Sequence, residues 1–355
     1  MTIMRNDPSR RRVHPEGQAV AAVLLAVVLG AARLPAAEPV AIIYDTDMAG
    51  DVDDVGALAV LHALADAGEA RILGCMISAP NEWVGPCLDA VNTYYGRPDV
   101  PIGNVCGFQN GYPKSIDDRP IESKYTRAIA EAFPHDLKRS TDAPPAVTLY
   151  RKLLAEQPDA SVTIVSVGFL SNLKALLDSS PDQASPLTGE ELAKKKVKLW
   201  VCMGGKFPDG RFAGGGGEYN VTIDTAAAVR AVNDWPTPVV FSGFEIGARI
   251  KVGSKLAGTP ERNPVRAAYL HYNALKPREA WDLTAVLFAV RGRRDYWTLS
   301  EPGLCLMHAG VPHGHNEWIP APGRRHRYLI EKMPPAELAD LIEELVIRPP
   351  RNGPK

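Results

Sequence analysis

The sequence has few cysteines for its length. Its 355 residues include five of them, Cys75, Cys87, Cys106, Cys202 and Cys305. Their spacing is irregular and contains no CxxC pair, which excludes a disulfide framework and a cysteine-based zinc site. Cys75 and Cys202 lie in apolar runs, so we expect buried thiols at these two positions.

An excess of charge of either sign is also lacking. The chain has 40 lysine and arginine residues against 41 aspartate and glutamate residues, and its net charge is -1. This balance provides neither a basic surface for a nucleic-acid partner nor an acidic tail typical of disorder. With 45% hydrophobic and 23% charged residues, the composition is that of a globular protein. The length suffices for one large domain or two ordinary ones.

Long apolar runs are missing except near the amino terminus. There a basic segment precedes an apolar run over residues 19–32, and small residues follow it. The run is shorter than the roughly 20 residues of a membrane span, and the layout is typical of a signal peptide. We predict a signal peptide or amino-terminal anchor over residues 1–37 and a folded domain over 38–348. The protein is then expected to be exported, to the periplasm or outside the cell, with no membrane partner after processing.

Short apolar runs alternate with helical patterns through the first two thirds of the folded domain. The predicted strands are Val40–Tyr44, Ala70–Ser78, Val100–Val105, Ser161–Gly168, Val197–Gly205 and Thr237–Gly243. The predicted helices are Gly56–Gly68, Cys87–Gly96, Ala146–Pro158, Leu170–Pro181 and Asp224–Asp234. This alternation favours an α/β fold with a doubly wound, mostly parallel central sheet flanked by helices.

Polar clusters follow the predicted strands. They comprise Asp45–Asp54 after the first strand, Asn81 after the second, Gly168–Asn172 after the fourth and Gly204–Asn220 after the fifth. Because ligands of open α/β sheets bind at the carboxyl ends of the strands, the clusters predict one binding site at this edge. The long loops over residues 108–125 and 206–218 are further candidates for function.

The segment DTDMAGDVDD places five aspartates, Asp45, Asp47, Asp51, Asp53 and Asp54, within ten residues. A capped helix would account for one or two of them. A hard cation such as calcium, which takes six to eight oxygen ligands, would account for the whole set. An EF-hand is excluded because Ala49 and Gly56 stand at ligand positions. A metal-dependent phosphatase with a DxDxT motif is a weaker alternative, because Ala49 replaces the threonine.

The same segment resembles the amino-terminal signature of the nucleoside hydrolase family, which includes the inosine–uridine preferring enzymes. The usual form is DxDxGxDD, and DTDMAGDVDD has two extra residues before its last pair. Three further segments resemble family segments in the same order: TIVSVGFLSNLKALL, MGG followed by EYN and DTAAA, and WDLTAVLFAVRG. Together they span residues 41–292. The resemblance implies a nucleoside hydrolase-like domain that uses calcium to hydrolyse the N-glycosidic bond of a ribonucleoside or related N-riboside.

The resemblance also implies roles for individual residues. It places calcium on Asp47, Asp54, Asp282 and the main-chain carbonyl of Val167. Asp47 would be the general base, Asp45 would orient the loop, and Asp51 is a helix-end carboxylate without an assigned role. The ribose hydroxyls would be held by Asp53, Asn81, Glu218 and Asn220, and Trp281 would stack on the base. The ligand is a small molecule, and the family's members are commonly homodimers or homotetramers.

Two departures from the family pattern bear on turnover. Trp281 stands where many members have a histidine that protonates the leaving base, and the loop before Asn220 lacks the asparagine that usually contacts the 5′-hydroxyl. Other candidates for the acid are His271, Tyr272, His313 and His315, and Asp209 or Arg211 is a candidate for the 5′ contact. These departures leave open a calcium-dependent ribosyl-binding or sugar-binding protein of the same fold that has lost turnover.

Overall fold

The computed structural model describes residues 38–105, 122–310 and 314–351. The predicted leader, Cys106, most of the loop 108–125 and His313 lie outside these ranges. The described residues belong to one structural unit, Glu38–Lys355. Within them, no helix has both the length and the apolar character needed to cross a membrane. Export and assembly into homodimers or homotetramers stay predictions.

Strands and helices alternate along most of the described chain. The strands are β1 (Val40–Thr46), β2 (Ala70–Ile77), β3 (Ile102–Asn104), β4 (Val162–Ser166), β5 (Val197–Met203), β6 (Val239–Ser242), β7 (Lys251–Val252), β8 (Arg278–Glu279), β9 (Trp297–Leu299), β10 (Gly303–His308), β11 (His315–Pro320) and β12 (His326–Glu331). The helices are α1 (Asp53–Asp66), α2 (Val84–Tyr94), α3 (Thr126–Ala132), α4 (Ala146–Ala155), α5 (Ser171–Leu177), α6 (Gly189–Lys196), α7 (Tyr219–Ile223), α8 (Thr225–Asn233), α9 (Phe244–Gly247), α10 (Pro264–Asn273), α11 (Trp281–Arg291) and α12 (Pro335–Val346). Short 3₁₀ helices cover Ser140–Asp142 and Ser254–Gly258.

The main sheet is mostly parallel. Its order is β11-β10-β12-β6-β5-β4-β1-β2-β3, and β9 pairs with β12. In this order across the sheet, β6, β5, β4, β1, β2 and β3 are each parallel to the next, and β12 is parallel to β6. From β1 the chain first builds outward through β2 and β3 and then returns to β4 on the other side. Neighbouring β1 and β4 therefore form the topological switch point, where such sheets bind ligands.

The predicted α/β class and parallel sheet are confirmed. Sequence reading missed strands β9–β12, which extend one side of the sheet: β12 is parallel to β6, and the other pairs among these strands are antiparallel. These strands contain partly exposed residues, as in β11, where Asn316 alone is buried. A strand with little buried surface does not show the continuous apolar run that marks the central parallel strands. The missed strands lie after the region of clear β–α alternation.

The hydrophobic core lies on both faces of the sheet. Along β1, Ile42 and Tyr44 pack into the core on one face, while Ala41 and Ile43 pack into the core on the other. This double burial explains the apolar run that begins the strand. Helix α1 is buried from Asp53 to Leu64, so no face of the helix is exposed to solvent over these residues. The packing holds the first turn of α1, and the loop before it, at the centre of the molecule.

Candidate active site

A cavity of about 610 Å³ opens at the carboxyl ends of β1, β4 and β5. One set of residues in its wall consists of carboxylates: Asp47, Asp51, Asp53, Asp54, Glu122, Glu218 and Asp282. A second set is aromatic: Phe212, Tyr219, Phe244, Tyr272 and Trp281. The cavity thus combines acidic and flat apolar surfaces within one space. Its size is in the range of pockets that bind small molecules.

Three carboxylates form the tightest acidic group in the described part of the chain. One oxygen each from Asp53, Asp54 and Asp282 lies within 4.8 Å of the other two. Asp53 and Asp54 occupy the first turn of α1, and Asp282 occupies the first turn of α11. The positive ends of the two helix dipoles favour negative charge there. The main-chain nitrogen of Asp282 also donates a hydrogen bond of 3.2 Å to Oδ2 of Asp53.

The three carboxylates are buried, and their negative charges repel one another. Asp53 and Asp54 are each 2% exposed, and Asp282 is 4% exposed. Burial raises the pKa of all three carboxyls well above the usual range, and their negative neighbours raise it further. Close buried carboxylates are stable as anions only when positive charge compensates them. An all-oxygen set of this kind fits a hard divalent cation.

Asp47 lies beside the group on the loop after β1. It is partly exposed, lines the cavity, and its charge raises the pKa of Asp54 and of Asp282. The geometry thus brings Asp53, which sequence reading assigned to the ribose, into closest association with two predicted metal ligands. Asp47 remains a predicted ligand and base. The acidic group lies at the predicted edge of the sheet.

The predicted ligand Val167 is positioned by contacts between the ends of β1 and β4. Its main-chain nitrogen donates to the carbonyl of Asp45 over 2.7 Å. The Asp45 carboxylate accepts hydrogen bonds from Tyr150 Oη at 2.8 Å and from Asn172 Nδ2 at 3.2 and 3.3 Å. Asp45 is fully buried, and it is not among the described residues that line the cavity. It fixes the backbone next to the acidic group.

Gly168 permits this close approach of the two strand ends. A Cβ atom at position 168 would overlap with the main-chain nitrogen and Cβ of Asp47 and come within 2.5 Å of Ser78 Oγ. Two of these atoms belong to the loop that carries Asp47, so they cannot move without moving that loop. The glycine is therefore required by packing.

Glu218 and Asn220 connect a third strand end to the site. Glu218 Oε2 accepts from the main-chain nitrogen of Gly205 at 3.1 Å, and Oε1 accepts from that of Asn220 at 3.0 Å. Asn220 Nδ2 donates to the carbonyls of Val167 at 2.9 Å and Met203 at 3.2 Å. Burial raises the pKa of Glu218 to about 7, against the effect of its hydrogen bonds. Both predicted residues line the cavity.

Trp281 belongs to an aromatic wall across the cavity. Its ring centroid lies 5.3 Å from that of Phe244, and Phe244 meets Phe212 edge-on at 4.7 Å. The indole Nε1 of Trp281 donates to the carbonyl of Phe244 over 2.9 Å. The indole N–H is thus already used, so Trp281 offers a flat surface rather than a proton donor. This agrees with its predicted role as a stacking platform, which stays a prediction.

Asp51 pairs with Arg278, a residue that sequence reading did not select. Arg278 Nε donates to Asp51 Oδ1 at 2.9 Å, and Nη2 donates to Asp51 Oδ2. The guanidinium carbon lies 5.0 Å from the ring centroid of Trp281 and 5.6 Å from that of Tyr272. Because the two partners are 227 positions apart, no local pattern signals the pair. Asp51 is therefore more than a carboxylate at a helix end, because it holds the guanidinium of Arg278 in the cavity wall.

Several other candidates lie elsewhere. Asn81 is absent from the cavity wall as described, and its Oδ1 accepts from the main-chain nitrogen of Trp83 at 2.9 Å, just before α2. His271 is exposed near the end of α10. The remaining candidates outside the described wall are Asp209, which pairs with Lys206 at 2.5 Å, and Arg211 and His315, which lie 2.7 Å apart. Tyr272, in contrast, lines the cavity.

Comparison with known families identifies the class of the protein. The model of the family described as inosine-uridine preferring nucleoside hydrolase matches residues 42–300. The chain therefore belongs to this family and is an N-glycosyl hydrolase. The matched range contains the acidic group, Gly168 and the aromatic wall. A search among curated protein sequences finds no match.

Solved structures with the same fold include enzymes and an effector protein. A plant nucleoside hydrolase is 19% identical with a TM-score of 0.64, covering 88% of this chain and 100% of its own. The inosine-uridine preferring nucleoside hydrolase from Bacillus anthracis is 17% identical with a TM-score of 0.64, covering 86% and 99%. A type III effector protein, complexed with adenosine diphosphate ribose, is 16% identical with a TM-score of 0.60, covering 88% and 93%. At these identities the similarity establishes the fold.

Proposed function

We propose that this protein uses calcium to hydrolyse the N-glycosidic bond of a ribonucleoside or a related N-riboside. The observation that carries the proposal is the division of one cavity into a buried carboxylate group and an aromatic wall. A hydroxyl-rich sugar suits a cation held by carboxylates, and a flat base suits an aromatic surface. A ribonucleoside joins these two chemistries in one small molecule.

The residues that would hold calcium are Asp47, Asp54, Asp282 and the carbonyl of Val167, and one oxygen of Asp53 lies within 4.8 Å of oxygens of Asp54 and Asp282. Calcium is favoured because carboxylate and carbonyl oxygens are its preferred ligands, whereas zinc prefers nitrogen and sulfur. A bound divalent cation makes an attached water more acidic and orients the hydroxyls of the sugar.

The protein's own groups complete the reaction. Asp47 accepts the proton of the attacking water, whose oxygen bonds to the anomeric carbon while the bond to the base breaks. Positive charge that develops on the ribose ring is stabilised by the nearby carboxylates, including Glu218. The hydrogen bonds of Glu218 and Asn220 to the backbone hold both side chains in place. The base departs toward Trp281 and Phe244.

The test is the release of free base from inosine, guanosine, adenosine, uridine and cytidine by the purified protein, with calcium and with a chelator. We expect calcium-dependent release that Asp47→Ala reduces by about 10²–10⁴-fold, the usual contribution of a general base. Asp295→Ala is the matched control, because Asp295 is exposed and pairs with Lys332 outside the cavity wall. Equal activity of the Asp47 variant and the wild type would contradict the assigned base.

A second candidate function is calcium-dependent binding of a ribosyl compound without turnover. Two observations favour it: the described cavity wall contains no histidine, and the indole N–H of Trp281 is already engaged. The fold neighbour complexed with adenosine diphosphate ribose makes that compound a suitable addition to the panel. Calorimetric binding in calcium without release of base or ribose over hours would favour this second function.

A further inference from the structure

The positions of the ribose and the base in the cavity determine where charge develops during the reaction. This inference rests on the proposed function, in which the carboxylate end holds the ribose and the aromatic end holds the base. Breaking the N-glycosidic bond leaves the electron pair on a nitrogen of the base. Negative charge therefore grows at the aromatic end, where it must be met by a proton or by fixed positive charge.

Arg278 brings positive charge to the aromatic end. It lines the cavity, and its guanidinium lies over the rings of Trp281 and Tyr272. Three of its N–H groups donate to Asp51 and Glu279. A guanidinium has more N–H groups than these bonds use, so donors remain for a ligand. The paired carboxylate of Asp51 fixes the orientation of the planar group.

Other groups in the wall are less suited to meet this charge. The indole N–H of Trp281 is engaged by the carbonyl of Phe244. The described wall contains no histidine. Lys124 also lines the cavity, but the ring that its Nζ lies over is that of Tyr272, at 5.1 Å from the centroid. Arg278 is the cation that lies over Trp281, the predicted platform for the base.

We propose that Arg278, held by Asp51, is a catalytic residue that stabilises the departing base as an anion. The bond between the anomeric carbon and the base nitrogen breaks, and its electron pair stays on the nitrogen. The water oxygen bonds to the anomeric carbon, and the water proton passes to the carboxylate of Asp47. Arg278 keeps its own protons and donates a hydrogen bond to the base, which is protonated by solvent after it leaves.

The test compares two ribosides that differ in their need for help at the leaving group. Inosine has a poor leaving group, whereas p-nitrophenyl β-D-ribofuranoside releases a stable anion without assistance. Steady-state kinetics are measured in calcium for the wild type, Arg278→Gln and Arg278→Lys. Arg291→Gln is the matched control. Arg291 makes a similar bidentate salt bridge with Glu69, at 2.8 and 2.7 Å, and lies outside the described cavity wall. Thermal unfolding of each variant reports on folding.

We expect Arg278→Gln to lower kcat on inosine by about 10²-fold or more, as for loss of one donor to a developing anion. On p-nitrophenyl riboside the same variant should lose less than about fivefold, because that anion needs little stabilisation. The kcat of Arg278→Lys on inosine should fall between that of the wild type and that of Arg278→Gln. Arg291→Gln should leave the ratio of the activities on the two substrates unchanged. These results together would support the proposal.

Equal losses on both substrates would overturn it, since Arg278 would then act only by holding the loop through Asp51. Unchanged activity of Arg278→Gln on inosine would overturn it as well. A wild-type protein that cleaves p-nitrophenyl riboside but not inosine would also overturn it, while leaving glycoside hydrolysis intact. Failure of the wild type on p-nitrophenyl riboside and on every nucleoside of the panel would overturn the proposed function itself, and this inference with it.

Discussion

The side-chain amide of Asn220 donates a hydrogen bond of 2.9 Å to the main-chain carbonyl of Val167. The bond joins the start of α7 to the residue that follows β4. The same amide also donates to the carbonyl of Met203 at 3.2 Å, at the end of β5. One side chain thus ties two strand ends together beside the acidic group. A carbonyl oxygen has two lone pairs, so Val167 retains one for a cation.

Replacing this amide with a carboxylate removes both bonds and sets negative charge against two carbonyl oxygens. We expect Asn220→Asp to lower the free energy of unfolding by about 1–3 kcal/mol and to abolish most base release. Urea unfolding and the inosine assay measure the two effects. Asn233→Asp is the control, because Asn233 donates to Met307 in the same manner, outside the described cavity wall. Loss of stability without loss of activity would show that Asn220 is only a structural tie.

The close approach at Gly168 predicts that even one methyl group disturbs the site. In Gly168→Ala, Cβ would overlap with the backbone of Asp47, so the loop that carries Asp47 must shift. We expect calcium affinity and kcat both to fall by at least about tenfold, with a stability loss of about 1–3 kcal/mol. The control is Gly258→Ala, where a Cβ meets no atom within 4 Å. Wild-type kinetics in the Gly168 variant would refute the packing argument.

The repulsion within the acidic group predicts opposite effects of one substitution with and without metal. In Asp282→Asn a neutral side chain replaces one of three close, buried carboxylates. We expect the chelated variant to unfold at a higher temperature than the chelated wild type. Calcium at about 100 times its Kd should stabilise the wild type by about 2.7 kcal/mol and the variant by much less. A full calcium shift in the variant would rule out Asp282 as a ligand.

His62 predicts a pH dependence of stability away from the active site. Its ring is fully buried, stacks on Tyr95 at 4.6 Å, and contacts Asn92 and Arg97 through its two nitrogens. Burial, and then the charge of Arg97, lower the pKa of His62 to about 3. Because the unfolded chain binds this proton below about pH 6.5, stability is complete above that pH. It is lost as the pH falls from 6.5 toward 3.

The measurement is urea unfolding of the wild type and His62→Gln between pH 7.5 and 5. Relative to the variant, the wild type should lose about 2 kcal/mol between pH 6.5 and 5. The difference between the two proteins removes the effect of the acidic group, which both contain. His271→Gln, at an exposed histidine, serves as the control and should follow the wild type. Parallel profiles for all three proteins would contradict a neutral, buried His62.

Much of the central fold was predictable because its signals are local. The strands β1, β2, β4, β5 and β6 are buried on both faces, so each appears as an apolar run. The aspartates of DTDMAGDVDD follow one such run directly, and the position of Asp282 at the start of a helix was readable from helical spacing. Strands β9–β12 were missed because partial exposure leaves no comparable run.

Some assignments at the site depended on distances that no sequence pattern contains. Asn81 follows a strand, and its Oδ1 accepts from the backbone of Trp83, so its contact with a ribose stays a prediction. Asp53 is adjacent to Asp54 in sequence, and the way α1 begins brings its carboxylate together with those of Asp54 and Asp282. Side-chain direction at a helix start depends on the packing around it, which sequence spacing alone does not specify.

The amino-acid order alone determined the alternation of strands and helices, the edge of the sheet where polar residues gather, and the dense group of aspartates that fits a cation. Each of these follows from local burial, turn chemistry or charge density. Tertiary structure decided that Asp51 meets Arg278, that Arg278 covers Trp281, and that Gly168 lies against Asp47. Asp51 and Arg278, like Gly168 and Asp47, are more than a hundred positions apart, so tertiary packing brings each of these two pairs into contact.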